Sequence, residues 1–156
     1  MNWEALGAVS EIIGAAAVVI SLLYLAFQVR IQNRESRLAA THEILEGYRN
    51  VAAAFQNSES AQLLAKANND FDSLDEPQRI QLIALIAPIL RLWEEAFHQN
   101  MDGRFQDAMW NTMSKLFADV LATKACKRVW ELRKNGFSDV FRAHLDNLEV
   151  GEWKNK

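Results

Sequence analysis

The chain has 156 residues, of which half are hydrophobic and 24% are charged, and its formal net charge is −3. This composition excludes an intrinsically disordered chain, and the weakly acidic balance gives no reason to expect a nucleic-acid partner. The single cysteine, Cys126, excludes an intramolecular disulfide and a multi-cysteine zinc site. Only two prolines and six glycines interrupt the chain, which favours long helices.

An uncharged, mostly aliphatic stretch of 18 residues runs from Ile12 to Val29. A bilayer core of about 30 Å needs about 20 apolar residues in a helix, with a lower limit of about 17. The stretch therefore predicts a membrane-spanning helix. The alternative is a buried helix of a soluble bundle, which a domain of this size rarely encloses. A cleavable secretory signal is not expected, since no positive charge precedes the stretch.

The basic residues are distributed unevenly along the chain. All 17 Lys and Arg lie at or after Arg30, and Arg34 and Arg37 follow closely. By the positive-inside rule, this asymmetry predicts a single-pass topology with the N-terminus outside and the remainder in the cytoplasm. These three arginines are expected to meet anionic headgroups at the membrane interface.

The predicted span sorts its side chains onto two faces when it is drawn at 100° per residue. One face carries small and polar residues at alternating spacings of three and four, as in a heptad repeat. We name this face the seam. It consists of Glu4, Gly7, Glu11, Gly14, Val18, Ser21, Leu25, Gln28 and Gln32. The opposite face is bulky and is expected to meet lipid. Because small and polar residues mark interfaces between membrane helices, the seam predicts a homo-oligomer.

The position of Glu11 suggests a cation pathway. About 19 residues, or about 28 Å of helix, separate it from the first arginine, which places it at the outer edge of the hydrocarbon. In a ring of copies, Glu11 and Glu4 would form acidic collars that attract cations, and Val18 or Leu25 would constrict the pore. The other interpretation is a non-conducting seam or a simple anchor, with Ser21 bonded to its own helix.

The rest of the chain shows helical periodicity and no strand alternation. The first helix is expected to continue to about 57–60. Further helices are predicted at 61–66, 73–99, 105–121, 124–135 and 137–148. Ser73 or Asp75 is the expected N-cap of the longest of these, Ser138 is that of the last, and Gly136 is the expected C-cap between them.

These patterns predict an all-α protein. Residues 1–30 form an N-terminal transmembrane segment with its span at about 12–29. Residues 31–150 form a cytoplasmic bundle of about five helices, and 151–156 form a C-terminal tail. The aromatic residues of the bundle are expected in its core. They are Trp93, Phe97, Phe105, Trp110, Phe117 and Trp130.

Candidate chemical sites are few. Glu95 and His98 form one Glu-x-x-His pair, whereas di-iron bundles use two such pairs, so a polar surface pair is expected instead. The basic neighbours of Cys126 could lower its pKa, but no catalytic partner is placed by the sequence. We therefore predict no metal site, no cofactor and no enzymatic activity.

Three stretches resemble a group of bacterial single-pass membrane proteins. They are MNWEALGAVSEIIGAAAVVISLLYLAFQVRIQNR, WEEAFHQNMDGRFQDAMW and VWELRKNGFSDVFRAHLDNL. The shared pattern is a Gly/Ala-rich span with a basic run, then an acidic-aromatic stretch, a glycine turn, and a Phe-x-x-x-Phe-Arg ending. The resemblance covers most of the chain. It implies a location in the bacterial inner membrane, and it carries no activity.

Two functions are compatible with these features. The first is a homo-oligomer that associates along the seam and encloses a cation pathway. The second is a non-conducting membrane-tethered adaptor or scaffold whose helical domain binds a cytoplasmic protein partner. In both, the lipid bilayer is a partner.

Overall fold

The computed structural model describes residues 3–148, apart from the side chains of residues 4–6 and 10. The described residues form six α-helices and two short 3-10 helices, with no strand among them, which confirms the all-α prediction. The α-helices are α1 (Trp3–Ala54), α2 (Ser58–Asn69), α3 (Glu76–Met101), α4 (Asp107–Leu121), α5 (Lys124–Arg133) and α6 (Asp139–Asp146). The 3-10 helices are Phe71–Ser73 and Lys134–Gly136.

The chain divides into two compact units, Met1–Ala39 and Ala40–Lys156. We call the second the helical unit. Helix α1 runs unbroken from Trp3 to Ala54, so it passes through the boundary predicted at residue 30. The predicted tail at 151–156 lies outside the described residues.

Side-chain caps explain where α2 and α3 begin. The Asn57 side chain accepts a hydrogen bond from the Ser60 N–H at 2.7 Å and caps α2. Helix α1 therefore ends at Ala54, before the predicted 57–60, and α2 begins at Ser58 rather than at the predicted residue 61. Asp75, rather than Ser73, caps α3. Its carboxylate accepts from the Gln78 N–H at 2.8 Å, and the Gln78 side chain accepts from the Asp75 N–H, which completes a capping box.

The two glycine turns differ in backbone conformation. Helix α5 ends at Arg133, and the chain tightens into a 3-10 turn whose last residue is Gly136. The prediction that Gly136 is the helix C-cap is therefore wrong, because Lys134 occupies that position. Gly103, in the predicted turn after α3, has a φ of 66°, and no other described residue has a positive φ.

Trp93 lies at the centre of the core of the helical unit. Its ring is fully buried, stacks on Phe117 of α4 with centroids 5.4 Å apart, and meets the edge of Phe141 of α6 at 5.8 Å. Three helices therefore share one aromatic cluster, and each such ring pair adds about 0.5–1.5 kcal/mol beyond its area burial. Of the six aromatics predicted in the core, five are buried and Trp110 is half-buried, as expected.

A histidine belongs to this cluster. The His144 ring stacks on Phe97 with centroids 4.7 Å apart, and its Nε2 has no hydrogen-bond partner in the described part of the chain. Burial lowers the pKa of His144 from 6.5, because the charged imidazolium would lose its hydration. His144 is therefore a neutral aromatic of the core at pH 7.

Replacing Gly103 with alanine should destabilise the helical unit. A Cβ at φ 66° strains the backbone even though no heavy atom lies within 4 Å of it. The expected loss in the free energy of unfolding is about 1–2 kcal/mol. Gly136→Ala is the matched control, because Gly136 lacks a positive φ. Its new Cβ would lie 3.4 Å from Nη2 of Arg91, an ordinary contact with the end of a flexible side chain, so the change in stability is expected to stay below about 0.5 kcal/mol. Chemical denaturation measures both. Equal losses in the free energy of unfolding for the two variants would show that the positive φ at position 103 does not destabilise an alanine there.

Candidate functional site

The apolar stretch of α1 is exposed in the part of the chain that the structure describes. Among the described residues, α1 is the one helix that is long and apolar enough to cross a bilayer, and none of its most apolar 18-residue window is buried. Side chains such as Ile12, Leu23 and Phe27 each expose more than 60% of their surface. By length and composition, this helix fits the predicted membrane span.

All described seam residues lie on α1 and are exposed, from Gly7 to Gln32. The side chain of Glu4 lies outside the described residues. A Cβ built at Gly7 or Gly14 meets no heavy atom within 4 Å, so no described residue from another part of the chain occupies the space beside these glycines. A second helix could approach the backbone closely at both positions.

Two polar groups of the seam, those of Ser21 and Gln28, are satisfied within α1. The Ser21 hydroxyl donates to the Ala17 carbonyl at 2.8 Å, as in the alternative that bonds Ser21 to its own helix. The Gln28 amide donates to the Tyr24 hydroxyl at 2.8 Å, so Tyr24 of the bulky face reaches the seam. Because neither group needs a partner on another helix, any association along the seam depends mainly on close packing.

The basic interface residues follow the span directly. Arg30, Arg34 and Arg37 lie on α1 within two helical turns and are exposed. Arg37 also makes an interaction within the chain. Guanidinium groups in this position are typical of the cytoplasmic boundary of a span.

The helical unit has an open cavity of about 620 Å³ between the last turns of α1 and α3. It is lined by Gly47, Val51, Pro88, Arg91, Leu92, Glu94, Glu95 and His98. A Cβ at Gly47 would lie 2.6 Å from Cδ1 of Leu92, so glycine brings the two helices close here. A second cavity of about 430 Å³ shares Pro88 and Arg91. Its walls are otherwise aliphatic, apart from Arg133.

The polar groups between these cavities form a clasp, which we define as Arg91, Glu94, Gly136 and Ser138. Arg91 donates to the Glu94 carboxylate at 2.7 Å and to the Gly136 carbonyl at 2.7 Å. The other Glu94 oxygen accepts from the Ser138 N–H at 2.7 Å. The guanidinium also lies 4.1 Å from the centroid of the Phe137 ring. The clasp therefore fastens α3 to the turn between α5 and α6.

Glu94 is charged in this arrangement. Burial alone would raise its pKa, but the hydrogen bonds from Ser138 and the nearby Arg91 outweigh burial, so the pKa of Glu94 falls below 4.5. The clasp uses its donors and acceptors internally. It serves stability rather than chemistry.

The structure separates the candidate metal pair. The Glu95 carboxylate accepts from Gln99 at 2.9 Å, whereas the His98 Nε2 lies 3.1 Å from the Ser138 hydroxyl. No group of three or more His, Cys, Asp or Glu could hold a metal within the part of the chain that the structure describes.

Cys126 is buried, and burial raises its pKa to about 12. The suggestion that its basic neighbours lower the pKa is therefore wrong, because Lys124 and Lys127 point to solvent while the thiol lies in the core. A thiol with this pKa is not a nucleophile at pH 7.

No family model, no curated protein and no solved structure matches this chain. The resemblance to bacterial single-pass membrane proteins therefore stays a prediction. The clasp was missed by the sequence analysis, because its four residues belong to two segments about 40 residues apart and share no motif. Two of the four residues had a predicted capping role: Gly136 as a helix C-cap and Ser138 as the N-cap of α6. The Ser138 side chain does accept from the Phe141 N–H.

Replacing Glu94 with glutamine should break the clasp. The loss of hydrogen bonds to a charged acceptor should cost about 1.5–3 kcal/mol at pH 7. The pKa of Glu94 is lower in the folded state than its ordinary value of 4.5. Its contribution to the free energy of unfolding is therefore complete above about pH 4.5 and is lost as the pH falls further. Glu94→Gln has no carboxylate to protonate at this position, so its stability should fall less than that of the parent chain as the pH is lowered.

Denaturation at several pH values measures this effect. Glu95→Gln is the matched control, because Glu95 is exposed, and it should stay within about 0.5 kcal/mol of the parent chain. The same acid profile for Glu94→Gln and the parent chain would rule out the clasp as a source of pH-dependent stability.

Proposed function

We propose that this chain is a single-pass membrane protein that self-associates along the seam of α1 and carries its helical unit in the cytoplasm. The observation that supports this most is the apolar window of α1, of which none is buried. Leaving a large aliphatic side chain in water costs about 1.5–3 kcal/mol relative to burying it. A bilayer removes this cost for the whole stretch at once.

The topology of the proposal follows from the arginines after the span. With Arg30 at the cytoplasmic boundary, the N-terminus is outside and the helical unit is inside. The proposed location is the bacterial inner membrane, in line with the resemblance described above.

Self-association is proposed because the two faces of the span differ. The bulky face suits lipid, whereas the seam offers glycines with open space beside them and two polar side chains, Ser21 and Gln28, that are already hydrogen-bonded. A single helix surrounded by lipid on all sides is not stabilised by having small and polar residues on one face and bulky residues on the other. Two or more copies that pack along Gly7 and Gly14 gain close backbone contact.

A bulky residue on the seam should reduce the number of subunits. Gly14→Ile places a branched side chain where helices approach, and it should shift the assembly towards the monomer. Ala16→Ile is the matched control, because position 16 lies on the lipid-facing side and the change should keep the assembly intact. The mass of the protein in nanodiscs gives the subunit count for each. A monomeric parent chain would refute self-association.

A cation pathway is the second candidate function, and Glu11 favours it. Its carboxylate is exposed on the seam, and it makes no hydrogen bond or ion pair within the described residues. In an assembly of four or more copies, these carboxylates would surround the outer mouth and Leu25 would form the constriction. One helix from each of two copies cannot enclose such a path.

Neutralising Glu11 tests the pathway. Glu11→Gln should lower the preference for cations over anions in liposome flux and in the reversal potential, because it removes the negative charge at the mouth. Glu35→Gln removes the same charge beyond the predicted span and should leave the preference unchanged. A conducting parent chain with unaltered selectivity in Glu11→Gln would remove Glu11 from the mechanism.

The non-conducting adaptor remains the alternative, and the two cavities that share Pro88 and Arg91 favour it. The second cavity is mostly aliphatic and would suit an apolar segment of a protein partner, and such binding would persist after deletion of the span. A subunit count of one or two would favour this alternative over the pathway.

A further inference from the structure

Helix α5 carries most of the unpaired positive charge of the helical unit. Its segment 124–134 holds five basic residues and one acidic residue, although the whole chain is acidic. Elsewhere in the described unit, almost every cation has a hydrogen-bond or ion-pair partner. These cations are Arg49, Lys66, Arg79, Arg91, Arg104 and Arg142. Within the segment itself, Lys134 pairs with Glu131.

The basic side chains without such a partner in the described unit are concentrated on α5. They are Lys124, Lys127, Arg128 and Arg133 on α5, and Lys115 on α4. Arg128 is the partial exception, because its guanidinium lies 5.7 Å from the centroid of Phe71. The positive charge of this helix is therefore available to an external anion.

The position of these lysines opposes the helix dipole. Helices α2, α3, α4 and α6 each have an acidic residue in the first turn, which complements the dipole. The first turn of α5 has none, and Lys124 and Lys127 lie there instead. Basic residues in a first turn do not stabilise the helix, so binding of an external anion explains Lys124 and Lys127 better than folding does.

An exposed aliphatic side chain lies beside the cations. Lys124, Arg128 and Leu132 are spaced four residues apart, so they follow one line along α5, and Lys127 lies next to it. Leu132 is 51% exposed, while Val129 and Trp130 on the inner side are buried. A line of cations that ends at an exposed leucine suits a surface that is anionic outside and apolar beneath.

We propose that the outer face of α5, formed by Lys124, Lys127, Arg128 and Leu132, docks onto the anionic phospholipid headgroups of the bilayer. The proposal rests on the proposed function, since α1 must anchor the chain in that bilayer. The tether keeps the helical unit close to the lipid, which raises its effective concentration at the surface. Charge complementarity selects the lipid, because each basic residue near an anionic surface adds about a five-fold factor to binding.

Lysine acetylation in nanodiscs tests this docking on the full chain. One set of discs contains phosphatidylcholine alone, and the other is rich in phosphatidylglycerol. A water-soluble acetylating reagent and mass spectrometry give the rate at each lysine. Lys124 and Lys127 should react several-fold more slowly in the anionic discs, and high salt should restore their rates. Lys115 is the internal control, because it is exposed and unpaired but lies on α4.

A pair of substitutions separates docking from a general effect of charge. Leu132→Asp removes the aliphatic contact and adds repulsion, so it should abolish the protection of both lysines. Val140→Asp, at an equally exposed valine of α6, should preserve it. Both lysines remain in place as reporters in each variant.

The outcomes distinguish the two proposals. The chain could enter both kinds of disc while Lys124 and Lys127 react no more slowly in the anionic discs than in the phosphatidylcholine discs. That result would overturn the docking and leave the membrane anchor intact. A chain that enters neither disc would overturn both. Protection that occurs in native membranes but not in anionic discs would also overturn the docking, since a protein would then be the occupant.

Discussion

The constraint on which the rest depends is the exposed apolar surface of α1. The helical unit has its own core around Trp93, whereas the side chains between Ile12 and Val29 are exposed. Each aliphatic side chain left in water costs free energy, and a helix is the form that satisfies its own backbone in lipid. The proposed membrane location follows from this requirement, while the proposed topology rests on the arginines after the stretch and the proposed self-association on the seam.

The helical unit solves a different problem. Apart from α3, the helices that lie wholly within it have at most 15 residues, and short helices owe their stability to packing rather than to propensity. The aromatic cluster supplies the packing, and the clasp of Arg91 and Glu94 fixes the turn before α6. Burial favours the neutral forms of Cys126 and His144, so both side chains contribute to this packing.

The two units use charge in opposite ways. The seam carries carboxylates near the N-terminal end of the predicted span, whereas the outer face of α5 carries cations without partners in the described unit. An anionic inner leaflet would attract the second and the arginines after the span alike. Self-association in the membrane and docking of α5 on the lipid are therefore compatible, because they use different surfaces and different forces.

The sequence by itself determined the approximate positions of the helices, the caps Asp75 (as one of two candidates) and Ser138, and the apolar stretch of α1, because periodicity and capping are local properties of the chain. The structure decided between Ser73 and Asp75 and showed that Gly136 closes a 3-10 turn, and both outcomes rest on hydrogen bonds between near neighbours in the chain. Only tertiary packing brings the Glu94 carboxylate to the Ser138 N–H and buries Cys126, which sets its pKa, because these residues meet their partners only once the helices have packed.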